Sequence, residues 1–232
     1  MFKRPHHVRI GVVLESLDAE LLMSSKCYFG GGTAAALRFG EYRESEDIDF
    51  LVSDRAGYGT LREKVCGPDG FNALTRRSIA VLRPVVANQY GIRTLLDIDG
   101  EPIKFEIVLE GHITLEEPGP RDTVCGVATL SALDAAASKL LANSDRWADA
   151  SVHSRDIIDL AMMEPGPDLM GRAIAKAESA YRSSIVKDLN KAIDFLRDNP
   201  ERLEVYMHAL RMDDISRTEL WDRIQRLRPE FE

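Results

Sequence analysis

The sequence predicts an α+β fold, in which a β-sheet with accompanying helices precedes a C-terminal helical bundle. Residues 1–117 mix short apolar runs of strand length with helical segments, whereas the apolar residues beyond them recur at helical spacing. The two patterns meet at EEPGPRDT, whose prolines and glycine are typical of a domain boundary near residues 117–125. We therefore predict two domains, residues 1–120 and residues 121–232.

The N-terminal part contains segments with the length and composition of β-strands. CYFGG and DIDFLVS are short and rich in apolar residues. RTLLDIDGEPIKFEIVLEG has the pattern of two strands joined at Asp99 and Gly100, and Asp-Gly is a strong signal for a two-residue hairpin turn. These segments are the strands of the predicted sheet.

The C-terminal part contains five segments with apolar residues at helical spacing. They are VATLSALDAAASKLLAN, RDIIDLAMM, DLMGRAIAKAESAY, SIVKDLNKAIDFLRD and SRTELWDRIQRLR. Their succession without intervening strand patterns predicts the helical bundle.

Composition and charge limit the classes of function. The hydrophobic content of 44% and charged content of 29% are ordinary for a globular protein, and no apolar run approaches the roughly 18 residues of a membrane-spanning helix. The net charge of −8 argues against broad non-specific binding of nucleic acid. Two arginine clusters could form a local basic groove or belong to solvated faces of mixed charge. They are Arg76, Arg77 and Arg83, and Arg217, Arg223, Arg226 and Arg228.

The cysteines and histidines show no metal-site or disulfide spacing. Cys27, Cys66 and Cys125 are odd in number and far apart, which predicts a reduced, cytoplasmic protein without a membrane segment. The histidines are interpreted as ordinary surface or core residues. They are His6, His7, His112, His153 and His208.

A glycine-rich turn separates the predicted strand CYFGG from a predicted helix that begins TAAALRF. Glycine has no Cβ, so the backbone amides of Gly31 and Gly32 can approach a ligand closely. Thr33 can cap the helix, whose N-terminus presents free N–H groups and the positive end of its dipole. The corner is therefore predicted to bind phosphate.

Two aspartates follow on the next predicted strand, DIDFLV. Residues two apart on a strand project from the same face, so Asp47 and Asp49 are expected to point together. Adjacent carboxylates repel unless a cation lies between them, and hard oxygen ligands suit magnesium. A phosphate-binding turn that precedes a magnesium-binding carboxylate pair predicts a site for a nucleoside triphosphate.

Together the two features form one block, GGGTAAALRFGEYRESEDIDF, which resembles the DNA polymerase β-like nucleotidyltransferase superfamily. In its fuller form the block is similar to the AbiEii/AbiGii (MenT-like) nucleotidyltransferase toxins, where GG-T-A and a hydrophobic run precede R-x-S-x-D-I-D-[FL]. The matching residues are Gly31, Gly32, Thr33, Arg43, Ser45, Asp47 and Asp49. The resemblance implies a mixed β-sheet nucleotidyltransferase core, with the helical domain completing the cleft.

Two later segments extend the resemblance to roughly residues 27–163. The family has a lysine on a helix, matched by Lys139, and an R-D-x-x-D segment, matched by Arg155, Asp156 and Asp159. Asp159 could equally form a structural ion pair with Arg155, which lies one helical turn before it. Asp156 is therefore the preferred functional residue of the segment.

A third carboxylate of such a site is expected on a neighbouring strand. In IKFEIVLEG the apolar residues alternate with Glu106, which could therefore lie beside Asp47 and Asp49. Asp97 and Asp99 on the preceding strand are alternatives, although the turn is expected to use Asp99.

The resemblance implies magnesium-dependent nucleotidyl transfer from an NTP to an acceptor hydroxyl. Asp47, Asp49 and Glu106 would hold Mg²⁺, with Glu106 alternatively a general base, and Gly31, Gly32, Thr33 and Ser45 would bind the nucleotide. Lys139 would neutralise the phosphates, and Asp156 would orient that lysine or the nucleotide. The family further implies the toxin of a type IV-like toxin–antitoxin pair, with a cognate antitoxin partner and tRNA or protein as acceptor.

Two other functions stay open at this point. An antibiotic-type nucleotidyltransferase shares the glycines and the D-x-D but modifies a small molecule; the R-x-S-x-D-I-D-F block argues against it. A non-catalytic nucleotide-binding or antitoxin-binding protein would not need the full set of carboxylates that this chain retains.

Overall fold

A computed structural model describes residues 2–229, which form two compact units. Unit 1 comprises the residues up to Arg38 together with Ser45–Ser131, and unit 2 comprises Phe39–Glu44 together with the residues from Ala132 onward. All strands within the described residues belong to unit 1, and unit 2 is helical.

Unit 1 is built on five strands, β1 (Cys27–Gly30), β2 (Ile48–Val52), β3 (Ala80–Ala87), β4 (Gly91–Ile98) and β5 (Glu101–Leu109). They form one sheet in the order β1-β2-β5-β4-β3. Strand β2 runs parallel to β5, and the other neighbouring pairs are antiparallel. The predicted α+β fold with a mixed N-terminal sheet is therefore confirmed.

The predicted hairpin turn lies between β4 and β5. Asp99 and Gly100 both have positive φ, 56° and 81°, as a two-residue type I′ turn requires. The turn pairs Ile98 with Glu101, and this register continues along both strands. Asp97 accepts a hydrogen bond from the Gly100 amide, so both alternative aspartates belong to the turn.

Four α-helices accompany the sheet of unit 1: α1 (Pro5–Ser16), α2 (Ala19–Ser24), α3 (Gly31–Arg38) and α4 (Arg55–Val65). A short 3-10 helix, Gly70–Leu74, follows them. Apolar side chains of these helices and of the strands share one core, in which the rings of Phe50 and Phe105 lie 5.6 Å apart. The alternation of buried residues along β2 leaves Asp49 on the face away from Phe50.

Residues 121–131 also belong to unit 1, so the predicted division at 120/121 falls inside it. A small hairpin, β6 (Thr123–Val124) and β7 (Val127–Ala128), lies in this stretch. The Arg38 guanidinium holds it by donating to Asp122 at 2.7 Å and to the Leu130 carbonyl at 2.9 Å. These tertiary contacts outweigh the local boundary signal of the prolines.

Strand β3 has no counterpart among the predicted strands. Its residues are mostly exposed at the edge of the sheet, and Pro84 interrupts its sequence. It therefore lacks the alternation by which a half-buried strand is predicted.

Unit 2 contains six α-helices within the described residues. They are α5 (Ala132–Arg146), α6 (Arg155–Met163), α7 (Pro167–Tyr181), α8 (Ser184–Asp198), α9 (Pro200–Ala209) and α10 (Arg217–Gln225), with a 3-10 helix, Ala150–Val152, before α6. Each of the five predicted helical segments corresponds to one helix, and α9 is an addition. The first segment is predicted to be helical from Val127, but its first two residues form β7 and α5 begins at Ala132. In α8, buried residues at Ile185, Leu189 and Ala192 form the apolar stripe expected of a core-facing helix.

Helices long and apolar enough to cross a membrane do not occur in residues 2–229.

Candidate active site

The glycine turn begins where β1 ends and α3 starts. Gly31 has φ of +69°, in the left-handed region that favours glycine. A Cβ at Gly31 would also lie 2.7 Å from Asp49 Oδ2, closer than van der Waals contact allows. The turn and the Asp49 carboxylate are therefore in direct contact, and only glycine fits between them.

Thr33 holds the segment that leads to the aspartates, instead of capping α3 as the sequence predicts. It lies within α3, and its buried Oγ1 hydrogen-bonds the Ser45 hydroxyl at 2.8 Å and the Asp47 carbonyl oxygen. Residues 45–47 have no regular secondary structure, so their polar groups need such partners. The capping expectation is wrong because Thr33 satisfies these groups instead.

Two of the three predicted carboxylates, Asp49 and Glu106, lie on adjacent strands of unit 1. Asp49 on β2 pairs in register with Glu106 on β5 and with Gly30 on β1. Asp47 immediately precedes β2, and its side chain is half exposed. The structure thus brings the glycine turn, both aspartates and Glu106 to one part of the sheet.

Two cations that the sequence analysis did not identify accompany Glu106. Lys104 Nζ lies 3.1 Å from Glu106 Oε2 and 3.9 Å from Asp47 Oδ2. Arg93, paired with Glu106 across β4 and β5, donates from Nε to Glu106 Oε1. The hairpin register could have identified Arg93, and the two-residue alternation of a strand could have identified Lys104.

These cations determine the protonation of Glu106. Burial alone would raise the pKa of Glu106, but hydrogen bonds from Lys104 and Arg93 and their charges bring that pKa below its ordinary value. The pKa of Lys104 is raised because its contacts with Glu106 and Asp47 outweigh its burial. Glu106 is therefore ionised near neutral pH and is a weak base.

The chemistry of the three carboxylates bears on whether they could hold a metal ion. Within residues 2–229, no three His, Cys, Asp or Glu side chains converge in a metal-binding arrangement. The Lys104 ammonium lies 3.1 Å from Glu106 Oε2 and 3.9 Å from Asp47 Oδ2, so these two carboxylates have a cationic side chain as partner. Asp47, Asp49 and Glu106 supply carboxylate oxygens, which are the ligand type that a divalent cation prefers.

The remaining predicted residues lie in unit 2, in a buried network of charges. Asp159 on α6 is fully buried and accepts from Arg43 Nε at 2.6 Å and Nη2 at 2.9 Å, and from the Tyr42 hydroxyl at 2.8 Å. Lys139 on α5 lies 2.6 Å from Asp159 and 3.1 Å from Asp156. The Lys139 ammonium is therefore neutralised within unit 2.

Arg146 completes this network at Asp156. It donates from Nε at 2.6 Å and from Nη2 at 2.9 Å. Burial would raise the pKa of Asp156, but the Lys139 charge and the Arg146 hydrogen bonds hold that pKa well below its usual range. The pKa of Asp159 is likewise lowered, because Arg43 and Lys139 outweigh the effect of its burial.

Comparison with known protein families shows to which family the chain belongs. The model of the family described as "Nucleotidyl transferase AbiEii toxin, Type IV TA system" matches residues 13–227. The chain belongs to this AbiEii family. It is therefore a nucleotidyltransferase, and the resemblance and the enzyme class inferred from the sequence are confirmed.

Two crystal structures share the fold of this AbiEii-family chain. A candidate nucleotidyltransferase from H. pylori is 17% identical, with a TM-score of 0.52 over 96% of this chain and 93% of that chain. JHP933 from Helicobacter pylori is also 17% identical, with a TM-score of 0.50 over 98% of this chain and 94% of that chain. A search of the curated proteins finds no match.

In this AbiEii-family chain the second aspartate of R-D-x-x-D does not bind the arginine of the same segment. Arg155 forms no ion pair within the described residues, and Asp159 pairs with Arg43 and Lys139. The alternative of a local pair with Arg155 is therefore wrong, because the partners of Asp159 come from distant parts of the sequence.

The C-terminal arginines largely neutralise acidic neighbours. Arg223 bonds Glu164 at 2.7 Å and Glu219 at 2.7 Å, and Arg228 bonds Asp194 at 2.6 Å. This pairing favours a solvated face of mixed charge over a basic groove at this end of the chain.

Proposed function

We propose that the protein is the toxin of a type IV toxin–antitoxin pair that transfers a nucleoside monophosphate from an NTP to an acceptor hydroxyl, with Mg²⁺ as cofactor. The observation that carries this proposal is the contact of the Asp49 carboxylate with the Gly31 turn, beside Glu106. This contact supports the proposal, because backbone amides that can bind an anion, next to carboxylate oxygens that can bind a metal, are the combination that a metal-bound triphosphate needs.

The protein's own residues have separate tasks in this reaction. The amides at Gly31 and Gly32 bind the phosphates, and Thr33 and Ser45 fix the segment that carries Asp47. Asp47, Asp49 and Glu106 supply the oxygens for Mg²⁺, which when bound offsets charge developing on the transferred phosphoryl group. The lowered pKa of Glu106 supports a ligand role over that of general base.

Lys104 and Arg93 are further candidates for binding the triphosphate. Both side chains are roughly half exposed, at 48% and 43%, beside the carboxylates. Lys139 and Asp156 are retained as proposed catalytic residues on the family resemblance. The Lys139 ammonium already has two carboxylate partners, so it provides charge through a preorganised network.

The acceptor is proposed to be tRNA or protein, and the partner a cognate antitoxin, because the family is one of type IV toxin–antitoxin systems. The decisive experiment incubates the protein and Mg²⁺ with each NTP, labelled at either the α- or the γ-phosphate, and with tRNA or total protein. We expect the α-label, and not the γ-label, to appear on one acceptor class.

Asp49→Asn should abolish this labelling while the variant stays folded, because the amide lacks one of the two oxygens and the negative charge of the carboxylate. Asp168→Asn is the matched control, since the Asp168 side chain is 90% exposed in unit 2. Transfer of the γ-label, or full activity of Asp49→Asn, would contradict the proposal. Induced expression should also arrest growth, and co-expression of the antitoxin should relieve the arrest.

A further inference from the structure

Two adjacent histidines of α1 contact the segment that leads to the D-x-D. His7 is fully buried, and its Nε2 accepts a hydrogen bond from the Ser45 backbone N–H at 3.2 Å. His6 Nε2 lies 2.9 Å from the Glu46 carbonyl oxygen. Together the two rings bind both ends of the Ser45 and Glu46 dipeptide.

This segment depends on side chains for its position. Residues 45–47 are neither helix nor strand, so no ladder of backbone hydrogen bonds holds them. The Ser45 amide is bound by His7, the Glu46 carbonyl by His6, and the Asp47 carbonyl by Thr33. In each of these three consecutive residues a backbone group is thus bound by a side chain, and these side chains come from α1 and α3.

From this arrangement we infer that His7 is a positioning residue of the nucleotidyl-transfer site, which holds the backbone that presents Asp47 to metal and nucleotide. The inference rests on the proposed function of Asp47 and Asp49. A buried polar ring is costly unless its nitrogens are bonded, so an apolar residue would otherwise be favoured at this core position. The Ser45 amide supplies a hydrogen bond to Nε2 that offsets part of this cost.

Only one form of the His7 ring can make this bond. To accept from an N–H, Nε2 must carry no proton, so the ring proton lies on Nδ1. A glutamine can place its side-chain oxygen near the Nε2 position, whereas leucine of similar size offers no acceptor. The pair His7→Gln and His7→Leu therefore separates the hydrogen bond from the packing.

The position of Asp47 should be sensitive to this bond. Its half-exposed side chain has one ion-pair partner within 4 Å among the described residues, Lys104 at 3.9 Å. Its placement therefore depends mainly on the backbone that His7 and Thr33 hold. A shift of about 1 Å in a catalytic group can reduce the rate by roughly 10²-fold.

The test measures Mn²⁺ binding in the presence of a non-hydrolysable NTP analogue, together with kcat, KM for NTP and Tm. In His7→Leu we expect Mn²⁺ affinity and kcat to fall by roughly 10-fold to 100-fold, with KM much less affected. His7→Gln should retain most of the wild-type Mn²⁺ affinity and kcat. Ser16→Ala removes another buried polar group of α1, one that bonds the Val12 carbonyl, and should leave both unchanged.

A second measurement follows the segment itself. Hydrogen exchange of a peptide covering residues 45–47 should be faster in His7→Leu than in wild type, Ser16→Ala or His7→Gln. Wild-type Mn²⁺ affinity and exchange in a folded His7→Leu variant would overturn the inference. The inference would also be overturned if His7→Gln and His7→Leu lost Mn²⁺ affinity and kcat equally and in proportion to their loss of Tm. That result would show that His7 acts only through packing.

The proposed function fails in a different way. If the wild-type protein binds neither Mn²⁺ nor nucleotide and transfers no label, the function assigned to the aspartates is wrong. In that case the role of His7 at the site is overturned too. The exchange measurement remains informative: faster exchange in His7→Leu shows that His7 holds residues 45–47, and unchanged exchange shows that it does not.

Discussion

Asp49 and Glu106 occupy paired positions on the parallel strands β2 and β5, and Asp49 also contacts the turn at Gly31. Parallel neighbours at the same register project from the same face of a sheet. Two carboxylates from segments far apart in the sequence are thereby placed next to the turn that we propose to bind phosphate. Asp47 joins them from the residue before β2, with Lys104 between it and Glu106.

The Gly31 turn should not tolerate even a methyl group. Gly31→Ala forces a positive φ on alanine and places its Cβ 2.7 Å from Asp49 Oδ2. We expect a loss of about 1–2 kcal/mol in the free energy of unfolding from the backbone alone, and loss of nucleotide binding because Asp49 must move. Urea unfolding and nucleotide titration measure the two effects.

Gly59→Ala provides the matched control for this substitution. Gly59 lies in α4 of the same unit, and a Cβ there would meet no atom within 4 Å. Alanine is the better helix former, so this variant should be more stable by roughly 0.5–1 kcal/mol. A Gly31→Ala protein that is as stable as wild type and binds nucleotide normally would refute the proposed turn.

Lys104 should compete with the metal for the carboxylates. Its ammonium lies 3.1 Å from Glu106 and 3.9 Å from Asp47. Lys104→Met removes this charge, and two charges about 4 Å apart in water interact by about 1 kcal/mol, which corresponds to roughly fivefold in affinity. We therefore expect Mn²⁺ to bind the variant several-fold more tightly, as measured by calorimetric titration without nucleotide.

Lys104→Met should change the affinity for the triphosphate in the opposite direction from the affinity for the metal. If Lys104 also binds the phosphates, KM for NTP rises in Lys104→Met while metal affinity increases. Lys26→Met is a suitable control, because Lys26 is 64% exposed and its partner at 3.8 Å is Asp54, which is not one of the proposed ligands. Weaker Mn²⁺ binding in Lys104→Met would exclude the competition.

The fold and part of this site could be predicted from sequence because their signals are local. The Asp-Gly turn fixes the register of β4 and β5, and that register places Arg93 opposite Glu106. The partners of Asp159 could not be predicted in this way. Arg43 is 116 residues distant, and only tertiary packing decides that it, rather than Arg155, pairs with Asp159.

Removing the Asp159 charge should destabilise the protein strongly. Asp159 is fully buried, and its carboxylate neutralises the buried positive charges of Arg43 and Lys139. Asp159→Asn keeps the shape of the side chain but removes this negative charge. Breaking a buried pair in this way typically costs about 3–5 kcal/mol. Asp168→Asn, at an exposed ion pair with Arg172, should change the free energy of unfolding by less than about 1 kcal/mol. Equal denaturant midpoints for the two variants would contradict this assignment.

The buried network should also set the acid stability of the protein. The pKa of Asp156 is held low in the folded state by Lys139 and Arg146 against the opposing effect of burial, and that of Asp159 is held low by Arg43 and Lys139. Unfolding restores ordinary values, about 3.9 for Asp. The unfolded chain therefore binds more protons than the folded chain once the pH falls toward 4, and stability decreases with further acidification.

Above about pH 5 both carboxylates are ionised in the folded and unfolded states, so their contribution to stability is complete and constant. Asp156→Asn should lower Tm at pH 7, because Lys139 and Arg146 lose a carboxylate partner. It should also flatten the decline of Tm between pH 5 and pH 2, because one proton-binding group with a shifted pKa is gone. Asp168→Asn should retain the wild-type decline. Parallel curves of Tm against pH for wild type and Asp156→Asn would show that Asp156 does not contribute to the acid sensitivity.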